Sequence, residues 1–220
     1  MKQLLAVLLL LGVLAPGSAW AEAARQITWD HLVPVGEPID DPTQDLTPEQ
    51  GIDLGLITSI RAKRKLGTIS PVDDEAEWGL ELEENLRKKG LNVDALVQRY
   101  IKMEMQVRKL NNQVVGDLDG QMVRMPGYVL PLEFDGSAID EFLLVPYVGA
   151  CIHVPPPPRN QMVLVKLNQS YAIKDQYEPV WVTGRMKART VNTSLTVFDG
   201  KIDVSAGYTL EGLRVVPYEE

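Results

Sequence analysis

Cysteine and histidine are nearly missing from this chain of 220 residues, which has one Cys and two His. A single thiol excludes an intramolecular disulfide framework and any CxxC zinc or redox site. Two histidines exclude a three-histidine metal cage. Aromatic residues make up only 6%, so a core must come from Leu, Val, Ile and Met. Basic residues are outnumbered, 22 Lys and Arg against 30 Asp and Glu, for a net charge of −8. An acidic chain without a basic stripe argues against nucleic acid as a partner and against electrostatic docking on anionic lipid. No apolar run reaches the roughly 20 residues that span a bilayer. Catalytic signatures are missing too: there is no GxSxG, HExxH, GxGxxG, P-loop or EF-hand loop. Carboxylates are plentiful, but no pair stands out as an acid/base couple. What is present is 45% apolar and 24% charged, a globular balance for one or two domains.

The chain opens Met1-Lys2-Gln3, runs apolar from Leu4 to Leu14, and turns at Pro16-Gly17-Ser18 before Ala19-Trp20-Ala21. A basic start, a short apolar stretch and a small-x-small site at Ala19 and Ala21 read as a cleavable secretory signal. The alternative is a short membrane anchor. No Cys follows the apolar stretch, so lipid anchoring at a mature N-terminal cysteine is excluded. The expected mature chain, 22–220, is exported and soluble.

Residues 22–46 read as an extended acidic segment, because Pro34, Pro38 and Pro42 forbid helix. Trp29 is a candidate anchor within it. Thr47-Pro48-Glu49-Gln50 is a helix start with a capping box. Arg61, Lys63, Arg64 and Lys65 suit the end of that helix, and Gly67 stops it. The basic cluster reads as a solvated helix end, with anion binding as the alternative. A second helix is capped at Asp73 or Asp74 and closed by Arg87, Lys88, Lys89 and Gly90. Its apolar stripe is Trp78, Leu82 and Leu86. Asn92 caps a third helix, in which Leu96, Tyr100, Met103, Val107 and Leu110 form a heptad-like seam. That seam either packs on the protein's own core or joins a second copy through Val93 to Leu110. From Val114 onward, β-branched residues and turn pairs such as Asp119-Gly120 and Asp199-Gly200 predict short strands. These run over Met122–Leu132, Ile139–Val148, Gln161–Leu167, Pro179–Lys187, Val191–Val197, Ile202–Val204 and Leu213–Val216. Gly184, inside one of them, suits the bend that barrel closure needs.

The stretch Phe142–Val154 feeds into Pro155-Pro156-Pro157-Pro158. Four prolines form a stiff polyproline II rod of roughly 12 Å. On a strand, Cys151 and His153 share a face. Thiolate and imidazole there are two ligands for zinc or copper. A third would come from Tyr147 on the same face, or from Asp175 or Glu178. A second reading is a thiol enzyme with Cys151 activated by His153, although residues two apart on a strand are poorly placed for a direct sulfur–imidazole hydrogen bond. The plain reading is a small buried cysteine and a structural histidine. Tyr147, Pro155, Pro156, Pro157, Pro158 and Asn160 are candidate partner or ligand contacts. The rod reads equally as a loop packed on Tyr147 or Trp181 of its own barrel. Asn168-Gln169-Ser170 and Asn192-Thr193-Ser194 match the glycosylation sequon, which matters only in a eukaryotic secretory pathway.

Met125–Leu132, Glu141–Tyr147, the string Gly149-Ala150-Cys151-Ile152-His153-Val154 with its four prolines, and Asn160-Gln161 together resemble a bacterial family, domain of unknown function 3299. Ile27-Thr28-Trp29-Asp30 and Leu32-Val33-Pro34 resemble the start of its members. Arg159 departs from the pattern, where a fifth proline is expected. The resemblance implies a Gram-negative exported protein with no assigned activity, encoded near ABC transporter permeases and, in some neighbourhoods, near metal-responsive proteins.

The expected fold is α+β: an N-terminal helical arm of two to three helices, then a small, mostly antiparallel, OB-like β-barrel. Its segments are 1–21 (signal peptide), 22–46, 47–112 and 113–220. The expected function is a non-enzymatic periplasmic accessory or binding protein, partnered by an ABC transporter permease or another envelope protein. A metal-handling protein using Cys151 and His153 with zinc or copper is the alternative, and a thiol enzyme using Cys151 the second. Neither nucleic acid binding nor a membrane span is expected.

Overall fold

Local capping chemistry starts the helical arm. The Thr47 N–H donates to Gln50 Oε1 at 2.9 Å, and the Gln50 N–H donates back to Thr47 Oγ1. With Pro48 in the first turn, this box opens α1 (Pro48–Leu66). Gly67 closes it in the left-handed conformation. Helix α2 (Asp74–Lys88) has three acids in its first turn and two bases in its last, matching its dipole. Helix α3 (Val93–Asn111) is capped by Asn92, whose side-chain oxygen accepts from the Ala95 N–H. The computed structural model that gives these elements describes residues 23–133, 138–150, 156–175, 177–197 and 200–218.

The arm has its own core of Leu54, Ile57, Leu86, Val93 and Val97. The stripe expected on α2 is rotated. Ala76, Gly79, Glu83 and Leu86 are buried, while Trp78 is exposed. The cause is close packing on α1, since a Cβ on Gly79 would approach Ile60 to 2.8 Å. Small residues occupy that seam and Trp78 cannot enter it. The seam expected on α3 is displaced as well. Val93 and Val97 are buried, Leu96 and Tyr100 pack beside them, and Val107 is exposed. A buried carboxylate ties the three helices together. Glu83 accepts two hydrogen bonds from Arg61 of α1, at 2.6 and 2.7 Å, and pairs with Arg87 at 3.0 Å. Arg61 also reaches Asp94 of α3 at 2.8 Å. The acidic segment before α1 joins the arm through Asp40, which takes a two-pronged contact from Arg99.

The barrel comprises β2 (Met122–Pro131), β3 (Ala138–Val145), β4 (Val163–Ala172), β5 (Pro179–Lys187) and β8 (Tyr208–Pro217). They pair in the closed order β2-β3-β4-β8-β5-β2. Every barrel pairing is antiparallel except β4 with β8. The third barrel strand thus lies parallel to the last, an OB-like connectivity. A short β1 (Arg25–Gln26) adds parallel to the edge of β2. Inward residues alternate along β2, where Val123, Met125 and Val129 join Phe142, Leu144, Val163, Val182, Tyr208 and Leu210 in the interior. Ile27, Leu32 and Leu118 belong to the same core. Gly184 meets a bulge between β5 and β8, where any Cβ would collide with the Glu211 backbone.

The hairpin of β6 (Val191–Val197) and β7 (Gly200–Ala206) lies between β5 and β8 in the chain. Its Leu195, Val204 and Ala206 form a second core with Leu130, Leu143, Val145, Met162 and Leu164. Met162 precedes β4, and the other four of these last are outward residues of β2, β3 and β4. Consequently Phe142 through Val145 are buried on both faces of the sheet.

Candidate functional site

The described residues place part of the sequence-predicted site and alter its geometry. Strand β3 ends at Val145, not Val148, and the chain turns at Pro146–Gly149, with Gly149 at φ +84°. The turn interrupts the strand alternation on which the shared face of Tyr147 with Cys151 and His153 depends, and that relation itself lies outside the described residues. Tyr147 is itself exposed, beside an exposed Val148. Cys151, His153 and Pro155 lie outside the described residues, as do Ala19 and Ala21. Glu178, expected near a metal, is buried and held elsewhere: its carboxylate accepts from the Tyr171 hydroxyl and the Lys174 N–H, both at 3.0 Å. Burial, joined by that carboxylate, pushes the Tyr171 phenol up to about 12. Among the described residues, no three His, Cys, Asp or Glu side chains converge as a metal site.

Asn160, expected at a partner or ligand surface, is fully buried. Its amide donates to the Leu110 carbonyl of α3 at 2.8 Å. Gln161 beside it donates to the Trp29 carbonyl, and the Gly207 N–H donates to Arg159 O at 2.7 Å. Nearby, the Tyr208 hydroxyl donates to Leu32 O and accepts from the Val115 N–H. These contacts stitch arm, N-terminal segment and barrel together within one chain. Pro156 is exposed, Pro157 buried and Pro158 half-buried, so the end of the rod is partly packed. Trp181, the other candidate contact of the rod, has its ring in two described contacts. The indole stacks on Tyr218 at 5.4 Å and lies under the Arg124 guanidinium at 4.4 Å.

OB-like barrels bind ligands across the outer face of their second and third strands. Here those strands are β3 and β4, and the β6–β7 hairpin packs on Leu143, Val145 and Leu164 of their outer face, while Lys166, Asn168 and Ser170 farther along β4 stay exposed. Among the described residues, one open groove lies on the arm. It measures about 930 Å3 and runs between α1 and the length of α3 from Val97 to Asn112. One wall is Gly55, Thr58, Ser59 and Ala62 of α1. The other is Val97, Ile101 and Met105 of α3. Lys65, Arg108 and Lys109 stand around it, with Glu104 the one acid. Arg61, at its side, is already held by Glu83 and Asp94. Sequence reading missed this groove because the heptad count followed Leu96, Tyr100 and Met103. The available signal was a second four-residue repeat, Val97-Ile101-Met105, off that seam.

Fold and surface together define an α+β protein in which a three-helix arm precedes a closed, OB-like five-stranded barrel. No helix among the described residues is long and apolar enough to cross a membrane. The chain belongs to the DUF3299 family, proteins of unknown function, which it matches over residues 29–217; the resemblance read from the residues around Gly149–Pro158 is borne out. Among solved structures, a DUF3299 family protein from Pseudomonas aeruginosa PAO1 is similar at 28% identity, covering 90% of this chain and 98% of that one, with a TM-score of 0.46. No curated protein matches the chain.

Proposed function

We propose that the protein is a non-enzymatic accessory of the bacterial periplasm, serving an envelope ABC transport system by binding one of its components. The observation that carries this reading is the contrast between the two parts of the molecule. The barrel face that OB-like proteins use for ligands is partly occupied by the protein's own hairpin, while the arm keeps an open groove with an apolar stripe along α3. Such a barrel acts as a rigid mount and the arm as the docking element. The signal-like start from Met1 to Ala21 supports export, and the lack of catalytic motifs supports a binding role.

The test is fractionation and affinity purification of the full-length protein, tagged at its C-terminus, from chemically crosslinked envelopes. The expected result is a processed chain in the periplasmic fraction and co-isolation of an ABC permease. Retention in the cytoplasm, or envelopes that yield no membrane component, would overturn the proposal.

A further inference from the structure

We infer that the α1/α3 groove receives an acidic amphipathic helix from the partner protein. This rests on the accessory reading above and adds the chemistry of the contact.

Shape comes first. Val97, Ile101 and Met105 recur every four residues and so form one stripe on α3. Ile101 is 38% and Met105 67% exposed, so the stripe is uncovered at its outer end. The facing wall on α1 carries short side chains at Gly55, Thr58, Ser59 and Ala62, with Arg61 and Lys65 beside them. Short side chains let another helix approach to an ordinary packing distance of about 8–10 Å. The span from Val97 to Asn112 is roughly 22 Å, about four helical turns. Both walls are helices whose backbone groups are already paired, so an extended peptide would find no ladder to join. A helix brings its own backbone hydrogen bonds and needs only the apolar stripe.

Charge then selects the kind of helix. Lys65, Arg108 and Lys109 line the groove, and none has an ion-pair partner among the described residues. They sit over the last turns of their helices, which suits the dipoles. Three such cations around one groove, opposed by Glu104 alone, still make a positive mouth on a chain of net charge −8. An apolar stripe flanked by Asp or Glu complements both features. A flat anionic bilayer complements the charge but cannot follow the concave walls.

The test places a photoreactive p-benzoylphenylalanine at Met105 of the full chain, and separately at exposed Leu213 on β8, in cells that make the protein. Adducts are mapped to peptide sequence by mass spectrometry. The expected result is a Met105 adduct on one partner peptide with apolar residues at helical spacing and acids beside them. Its yield should fall at least tenfold in Arg108→Glu/Lys109→Glu and, independently, in Lys65→Glu, with circular dichroism unchanged. A lipid adduct, an adduct on a second copy of this chain, a partner peptide without acids, or a yield indifferent to charge reversal would each overturn the inference. If Met105 is silent while the tagged chain still co-isolates an ABC permease, the groove assignment fails and the accessory reading stands. If both are silent, both fail.

Discussion

Gly184 is the residue on which barrel closure turns. Strand β5 crosses β8 so closely there that the Glu211 carbonyl occupies the space of a side chain. Ala at this position must push the two strands apart at the bulge. Gly184→Ala is therefore expected to destabilise the protein by about 3 kcal/mol, the upper range for overpacking, read as a lowered urea midpoint. A glycine inside a strand is visible in sequence as an anomaly, and here it coincides with the register shift between β5 and β8. Asn160 is the opposite case. A polar residue next to a proline rod reads as surface, yet its environment is the end of α3, fifty residues earlier in the chain. No local pattern carries that information.

The helices were legible as elements because caps, charge order and terminal glycines act within a few residues. Their buried faces were less legible. Trp78 is the most apolar residue of its stripe by size, but α2 meets α1 through Ala76 and Gly79, and only the packed pair decides that. What clamps the pair is Glu83. The Arg61 hydrogen bonds, and the positive charges of Arg61 and Arg87, hold its carboxyl below the ordinary value of 4.5. The stabilisation is thus present above about pH 4.5 and is lost as pH falls through the lowered value. Glu83→Gln should cost about 2 kcal/mol at pH 7, because Arg61 keeps its charge and loses its buried carboxylate partner, retaining only the exposed Asp94. The gap between wild type and variant should then narrow on acidification, as followed by circular dichroism of the arm across a pH series. An unchanged gap down to pH 2 would remove the clamp from the account.

At the scale of the whole molecule, arm and barrel are joined by few polar contacts rather than by one shared core. The buried clusters divide accordingly, two in the barrel and one in the arm. Asn160→Ala removes the amide that holds the Leu110 carbonyl. The expected outcome is a loss of about 1–2 kcal/mol together with faster proteolytic cleavage near residues 111–116, while the barrel fragment persists. Equal resistance to protease would mean that Gln161 and Tyr208 hold the joint without it.

By itself, the sequence determined the kinds of element and their order: a helical arm, then short strands that close into an OB-like barrel, and membership in DUF3299. Those features follow from short-range chemistry, in which caps, periodicity and turn residues act within one or two turns of chain. Only the tertiary structure decided which faces are covered. The β6–β7 hairpin folds over part of the outer face of β3 and β4, Trp78 turns to solvent, Asn160 turns inward, and the stripe from Val97 to Met105 lines an open groove. Each of these depends on residues tens of positions apart meeting in space, and burial is a property of the meeting rather than of the residue.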